Sequence, residues 1–513
     1  MTTPIRGNVT LRVNHPISQA RSFSTILLLE MWERFGFYGM QVLIVYYLIE
    51  QLGFSDRHAN LTWSTCVALI YTTPAIGGWI GDKILGTRRT MLLGAIVLTL
   101  GYGLLGVPHQ PVEFIFFALG VIIVGNGLFK ANAGNMVRKI YEGSPSKMDS
   151  AFTLYYMGVN MGSMISMLLT PWVKDYINIQ YGYDLGWHVA FTVSGFGLAI
   201  GLGGYFLMRR TLAYTGSEPD THPLKIGKLG LVIGLSILMA FLAAFILKHE
   251  TIARLFIYMA TAAIFFFFTF FIYTARPHER SGLLIALILT IQVIFFFIFY
   301  QQTSSSLALF ILRNVDWNFN VFGFHVFTWA PAQFQALNPI WIFILSPILA
   351  WIYTHAGNQG KDLPVAGKFA IGFMMMAISF FIYGAAAHFT NIAGKTSSWV
   401  IVWGYGFGAL GELLISGLGL AMIARYGPAR VGGFMMGTYF IATGISQYFG
   451  GWIATLAAVP KEMTDPIMTL PIYTYLFNWL GIAGLGCALI ASAMLPIIRK
   501  LSLTSPSPKE GDS

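Results

Sequence analysis

Glu30-Met31-Trp32-Glu33-Arg34-Phe35-Gly36-Phe37-Tyr38 decides how this chain is read, because two carboxylates and a guanidinium fall inside its first long apolar segment. A charge near the centre of a membrane helix costs roughly 2.5–3.5 kcal/mol on insertion scales, so three cost roughly 8–10 kcal/mol. About 20 leucines at roughly −0.5 kcal/mol each would be needed to offset that. Such a helix is stable only if its charges face protein, water or one another. The spacing permits this: Glu30, Glu33, Arg34, Tyr38 and Gln41 fall at i, i+3, i+4, i+8 and i+11, on one helix face. The segment reads as part of a polar path through a membrane protein.

The rest of the chain agrees. Of 513 residues, 56% are hydrophobic and only 10% charged, with a mean hydropathy of +0.66. A soluble protein is about 25% charged. Apolar runs near 24–49, 61–81, 90–107, 114–137, 151–173, 187–208, 227–247 and 252–273 predict transmembrane helices. Further runs near 282–312, 335–355, 367–388, 398–424, 431–458 and 474–497 bring the expectation to about 14. With the N-terminus inside, the inner segments hold 22 of the 31 Lys and Arg and the outer segments 7. Arg34 and Lys130 lie within spans. The bias places both termini in the cytoplasm of a multi-pass membrane protein. It also accounts for the net charge of +10 without nucleic acid. Met1–Arg21 has no apolar core before Phe23 and does not read as a cleaved signal peptide. Cys66 and Cys487 sit in apolar stretches and read as small buried hydrophobes.

The polar 209–228 segment splits the chain into six helices, a pair and six more, the order expected of two six-helix bundles around a central site. The expected organisation is a cytoplasmic arm (1–22), an N-terminal bundle (23–210) and a linker with an inserted pair (211–280). A C-terminal bundle (281–499) and a cytoplasmic tail (500–513) complete it. The inserted pair is almost purely apolar and is expected to be peripheral.

Five ionisable residues fall in the middle of spans: Glu30, Glu33, Arg34, Lys130 and Glu412. Three acids against two bases suit pairs that neutralise each other and leave one carboxylate free to take a proton. The bland alternative is an ion-pair network that only locks helices together. All ten histidines lie near span ends or in loops, so proton handling falls to glutamate. Polar companions lie on the same helices: Asn126 four residues before Lys130, Tyr156 four before Asn160, the run Tyr300–Ser306, and Asn338 before Pro339. Singly, each reads as a helix-packing residue; together they read as the lining of one cavity. Gly406, Gly408 and Gly411 match a dinucleotide pattern but lie inside an apolar span, where close helix packing explains them. Phe265–Phe268 reads as lipid-facing. His249-Glu250 lacks a second histidine, and neither a metal nor a cofactor is inferred. The longest polar segment, roughly 20 residues, leaves little room for a membrane enzyme.

Several motifs resemble one family. Glu30-x-x-Glu33-Arg34-Phe35 is similar to the signature of the proton-dependent oligopeptide transporter family of the major facilitator superfamily. Gly77–Arg89 resembles that family's loop between helices two and three, and Phe152–Ser163 its helix-five signature. Gly125–Lys130 and Gly411–Ser416 resemble its helix-four and helix-ten elements. The resemblance runs from about residue 23 to residue 499 and is most like the enteric bacterial di- and tripeptide permeases, which also carry an extra helical pair. It implies uptake of di- and tripeptides coupled to protons by alternating access. Arg34 and Lys130 would hold the peptide carboxylate, and Asn160, Asn338 and Glu412 the amino terminus. Tyr38 and Tyr71 would line the pocket, with Gln302 and Ser416 beside them. Glu30, Glu33, Arg34, Lys130 and Glu412 would share the proton coupling. Asp82, Arg88 and Arg89 would form a cytoplasmic latch. A monomer is expected. A zwitterion needs opposite charges at a fixed separation, and clamping the termini shared by all dipeptides gives broad specificity.

The chain also departs from the family. Gln41 and Gln301 stand where many relatives pair an arginine with an acid as an outer gate, which leaves Lys130–Glu412 as the candidate cross-bundle pair. Phe37 stands where relatives have tyrosine, and Tyr439 where they often have tryptophan. A transporter of another small zwitterion or anion, and a peptide sensor that does not transport, are the alternative readings.

Overall fold

The computed structural model describes residues 18–142, 145–182, 184–321, 323–359, 364–426, 432–463 and 465–504. Most of the expected N-terminal arm (1–17) and C-terminal tail (505–513) lies outside these residues.

Helix α1 (Gln19–Tyr46) starts at Ser18, whose hydroxyl accepts the Arg21 N–H, and runs on through a π-helical turn at Tyr47–Gln51. The next expected span is two helices, α2 (Asp56–Thr72) and α3 (Pro74–Ile80), because Pro74 has no amide proton to continue the ladder. There follow α4 (Thr87–Leu105), α5 (Val112–Ile140), α6 (Pro145–Tyr181) and α7 (Leu185–Met208). A single turn, α8 (Glu218–Thr221), sits in the linker before the inserted helices α9 (Ile226–Lys248) and α10 (Glu250–Thr274). The second half holds α11 (Pro277–Gln301), α12 (Ser306–Asn314), α13 (Leu337–Asn358) and α14 (Val365–Gly384). It ends with α15 (Ser398–Tyr426), α16 (Gly432–Ala454) and α17 (Pro466–Thr504).

Two further details differ from the sequence reading. The run expected as one span at 282–312 breaks at Gln302–Ser305. There a 3-10 turn and an unusual Ser305 backbone (φ −130°, ψ −99°) interrupt it. Thr303, Ser304 and Ser305 each bond a carbonyl one turn back, the local competition that loosens helices. A short antiparallel hairpin also interrupts the helices, β1 (Asn318–Val321) with β2 (Phe324–Thr328). Gly323 supplies the positive φ of 83° near its turn. Phe319 stacks on Phe334 (5.4 Å) and Phe327 (4.5 Å), which holds the hairpin against the helices.

In the first half α1 packs on α6 and α7, α4 on α5 and α7, and α3 on α5. In the second half α14 packs on α15 and α17, and α11 on α15 and α16. The halves meet through α2 against α16 and α6 against α13. Glycines allow the tightest approaches: a Cβ on Gly77 would stand 1.9 Å from the Gly127 carbonyl oxygen across the α3–α5 contact. A Cβ on Gly411 would stand 2.9 Å from the Gly372 carbonyl, so the 406–411 glycines serve helix packing.

Ten segments of the described residues are long and apolar enough to cross a membrane. Helix α1 is not among them, because its middle carries Glu30, Glu33 and Arg34. The inserted helices are among the most exposed, with 22% and 17% of their apolar spans buried. Helix α9 lies on α5, and α10 on α16 and α11. Phe265, Phe266 and Phe267 are exposed as expected, but Phe268 is buried.

Candidate functional site

The charge cluster of α1 is closed on itself. Arg34 Nε lies 2.5 Å from Glu33 Oε2 and 3.4 Å from Glu30 Oε1, with all three side chains at most 4% exposed. The i, i+4 spacing brings Glu30 to Arg34, and the guanidinium also lies over the Phe37 ring at 5.2 Å. Tyr155 on α6 lies within electrostatic reach of Glu30. Lys130 on α5 lies within electrostatic reach of Glu30, Glu33 and Arg34. Its ammonium sits 4.8 Å from the centre of the Tyr71 ring. One face of the site is therefore cationic groups bedded on aromatic rings, with two carboxylates behind them.

The other face comes from the second half. Glu412 on α15 accepts a 2.7 Å hydrogen bond from Asn338 Nδ2 at the start of α13. The phenols of Tyr38, Tyr71, Tyr156 and Tyr300 lie within electrostatic reach of Glu412. Asn160 is buried and donates to the Tyr156 carbonyl at 2.9 Å. Ser416, one helical turn beyond Glu412, is half-buried. Tyr38 and Tyr71 thus lie within reach of Arg34 on the α1 side and of Glu412 on the α15 side.

Three expectations are corrected. Lys130 and Glu412 do not pair: Lys130 turns to Tyr71 and Glu412 to Asn338. Gln302 has its whole amide engaged within the protein, donating to Ile298 O (3.1 Å) and Gly450 O (2.8 Å) and accepting from Ser306 Oγ (2.6 Å). It is fully buried and shapes the α11–α12 break. Asp82 does not meet Arg88 or Arg89; it accepts from Asn135 Nδ2 at 3.3 Å. The two arginines hold the linker instead. Arg88 donates to Leu212 O and Ala213 O, and Arg89 to Pro219 O and His222 O.

That linker caps α4. The helix follows Gly86 and has no side-chain cap of its own. Ser217 Oγ accepts the Thr87 N–H at 2.9 Å, and Asp220 accepts from Arg88 N at 3.0 Å and Arg89 N at 3.4 Å. Gly86 (φ 103°) is required, since a Cβ there would stand 2.2 Å from Asp220 Oδ1.

The sequence reading missed the contacts that join the halves at the end of the molecule remote from the described chain ends. Arg313 makes a bidentate pair with Asp56, at 2.6 and 2.7 Å, and also donates to Tyr473 Oη at 2.6 Å. Asp56 also accepts the Val459 N–H at 3.0 Å. Tyr46 Oη donates to Ala308 O, Trp63 Nε1 to Ser304 Oγ, Gln301 Nε2 to Ser64 Oγ, and Lys461 to Gly53 O. Gln301, half of the neutral position noted above, is part of this seal. Asp56 and Arg313 lie at span ends in sequence, where charges are ordinary, so nothing local marked them as partners.

The chain matches the model of the POT family over residues 88–473. It belongs to that family. It is 40% identical to dipeptide and tripeptide permease B of Aliivibrio fischeri (strain MJ11) over 497 residues, covering 97% of this chain and 98% of that one. It is 39% identical to the protein of that name from Salmonella typhimurium, covering 94% and 96%. Among solved structures, a crystal structure of tetrameric PepTSo2 is 58% identical, with a TM-score of 0.86 over 94% of this chain and 99% of that one. A peptide transporter POT in complex with sulfate is 26% identical, with a TM-score of 0.78 over 94% and 95%.

Proposed function

We propose that this protein imports di- and tripeptides with protons by alternating access between two six-helix bundles. What supports the reading is that Tyr38 and Tyr71 lie within reach of both Arg34 and Glu412, with Lys130 over the Tyr71 ring and Asn338 bonded to Glu412. A peptide zwitterion fits that polarity, with its carboxylate toward Arg34 and Lys130 and its ammonium toward Glu412. Asn338 and Asn160 supply hydrogen bonds, and Tyr38, Tyr71 and Ser416 line the space between. The relatives named as dipeptide and tripeptide permeases support the substrate class.

Protons enter through the glutamates. Arg34 is shared by Glu30 and Glu33, so a peptide carboxylate that draws the guanidinium away leaves a buried carboxylate poised to take a proton. Binding and protonation are then coupled through one cation. The Asp56–Arg313 pair joins the two halves on the outer side. The chain crosses a bacterial inner membrane 14 times with both termini in the cytoplasm. A monomer is the proposed transporting unit, and a tetramer like that of the relative would hold four such units.

The test is uptake of labelled dialanine into proteoliposomes, with and without an inward proton gradient, for wild type and Glu33→Gln. Accumulation that needs the gradient in wild type, with only counterflow left in the variant, is expected. Uptake unchanged by collapse of the gradient would sink the coupling.

A further inference from the structure

We propose that the groove between the α3–α4 connection and the start of α9 binds the phosphate of an anionic phospholipid headgroup. The groove has a volume of about 510 Å3 and is lined by Lys83, Arg89, Lys225 and Lys228, together with Asp82 and Glu218. Cations exceed anions by two. Arg89 is held in the wall by the Pro219 and His222 carbonyls, which leave its charge in place. Lys83, Lys225 and Lys228 are exposed and have no ion-pair partner among the described residues.

The groove also receives the start of a long helix. Helix α9 has 23 residues, Lys225 as its N-cap, no side-chain cap and no acid in its first turn. Its free amide protons and the positive end of its dipole therefore add to the three ammonium groups. A phosphate is the ligand that uses lysine point charges and helix N-terminal amides together.

The surroundings favour a lipid over a soluble phosphate. Leu224 and Ile226, beside the groove, are 43% and 83% exposed. Helix α9 continues from them as an apolar, mostly exposed span. A headgroup seated on the lysines would lay its acyl chains along that surface, whereas a free phosphate gains nothing from it. The groove lies at the end of the molecule that carries both described chain ends, where a cytoplasmic leaflet rich in anionic lipid attracts basic side chains. The bound lipid would tie Lys83, next to α4, to the foot of α9, and so hold the inserted pair against the first half.

The test is native mass spectrometry of the full chain in detergent, titrated with phosphatidylglycerol or phosphatidylcholine. Wild type is expected to retain phosphatidylglycerol about tenfold better than phosphatidylcholine. Lys225→Gln with Lys228→Gln is expected to remove the preference, and Lys83→Gln, on the opposite wall, to weaken it alone. Lys500→Gln, an exposed lysine outside the groove, should leave it intact. Equal retention by wild type and both groove variants would overturn the site, as would an equal loss in Lys500→Gln. Displacement of the lipid by inorganic phosphate would overturn the lipid in favour of a soluble ligand.

Discussion

Glu412 is the residue whose role is most exposed to a single substitution. Its carboxylate is bonded by the neutral Asn338 amide, and no cation pairs with it among the described residues. A peptide ammonium would supply the missing positive charge. Glu412→Gln keeps the volume and removes the charge. It is expected to raise the KM for dialanine about 10–100-fold, the worth of roughly 1.5–3 kcal/mol for a hydrogen bond to a charged group. Counterflow at a series of peptide concentrations measures this; a KM within about twofold of wild type would remove Glu412 from the site. The same scale shows what the sequence could carry. Charges inside apolar spans announce themselves, so Glu30, Glu33, Arg34, Lys130 and Glu412 were legible from hydropathy alone. Which of them touch was not. Lys130 bedding on Tyr71, and Gln302 turning to Gly450 across more than 140 residues, are set by tertiary packing that leaves no local pattern.

At the scale of helices, the close approach of α3 to α5 depends on the absence of side chains at Gly77 and Gly127. Gly77→Val would drive its branches into the Gly127 backbone. Overpacking of this kind costs about 1–3 kcal/mol or more. A lower unfolding temperature in detergent is the expected outcome, and Gly103→Val, where an added Cβ meets nothing within 4 Å, is the control. An unchanged temperature for Gly77→Val would show that α3 moves freely against α5. The helices themselves were legible, because a run of apolar residues longer than a bilayer is wide leaves few alternatives. Their interruptions were less so. The break at Gln302–Ser305 arises because Gln302, Thr303, Ser304 and Ser305 each bond a backbone carbonyl one turn back, inside a run that hydropathy reads as continuous. The hairpin at 318–328 was hidden for a different reason: it is held by stacked aromatic rings, and aromatic residues are equally at home at a membrane interface.

For the whole molecule, the Asp56–Arg313–Tyr473 cluster joins the two halves at one end only. Arg313→Ala would leave the 3%-exposed Asp56 carboxylate without its cation, a change that costs about 3–5 kcal/mol when an ion pair is fully buried and less for an arginine that is 17% exposed. Lower thermal stability and greater labelling of a cysteine introduced beside Tyr46 are the expected results. Labelling equal to that of the parent would show that the seal rests on α2 and α16 alone. A different lesson lies in the way the linker caps α4. The segment between the first six long helices and the inserted pair has the polarity of a simple linker, yet Ser217 and Asp220 cap the start of a helix 130 residues earlier. Anyone wishing to excise the inserted helices, split the gene into two co-expressed fragments or graft a reporter between them should therefore cut after His222. A junction placed at the visible end of the sixth long helix, near Arg209, would carry off part of the first half's own framework.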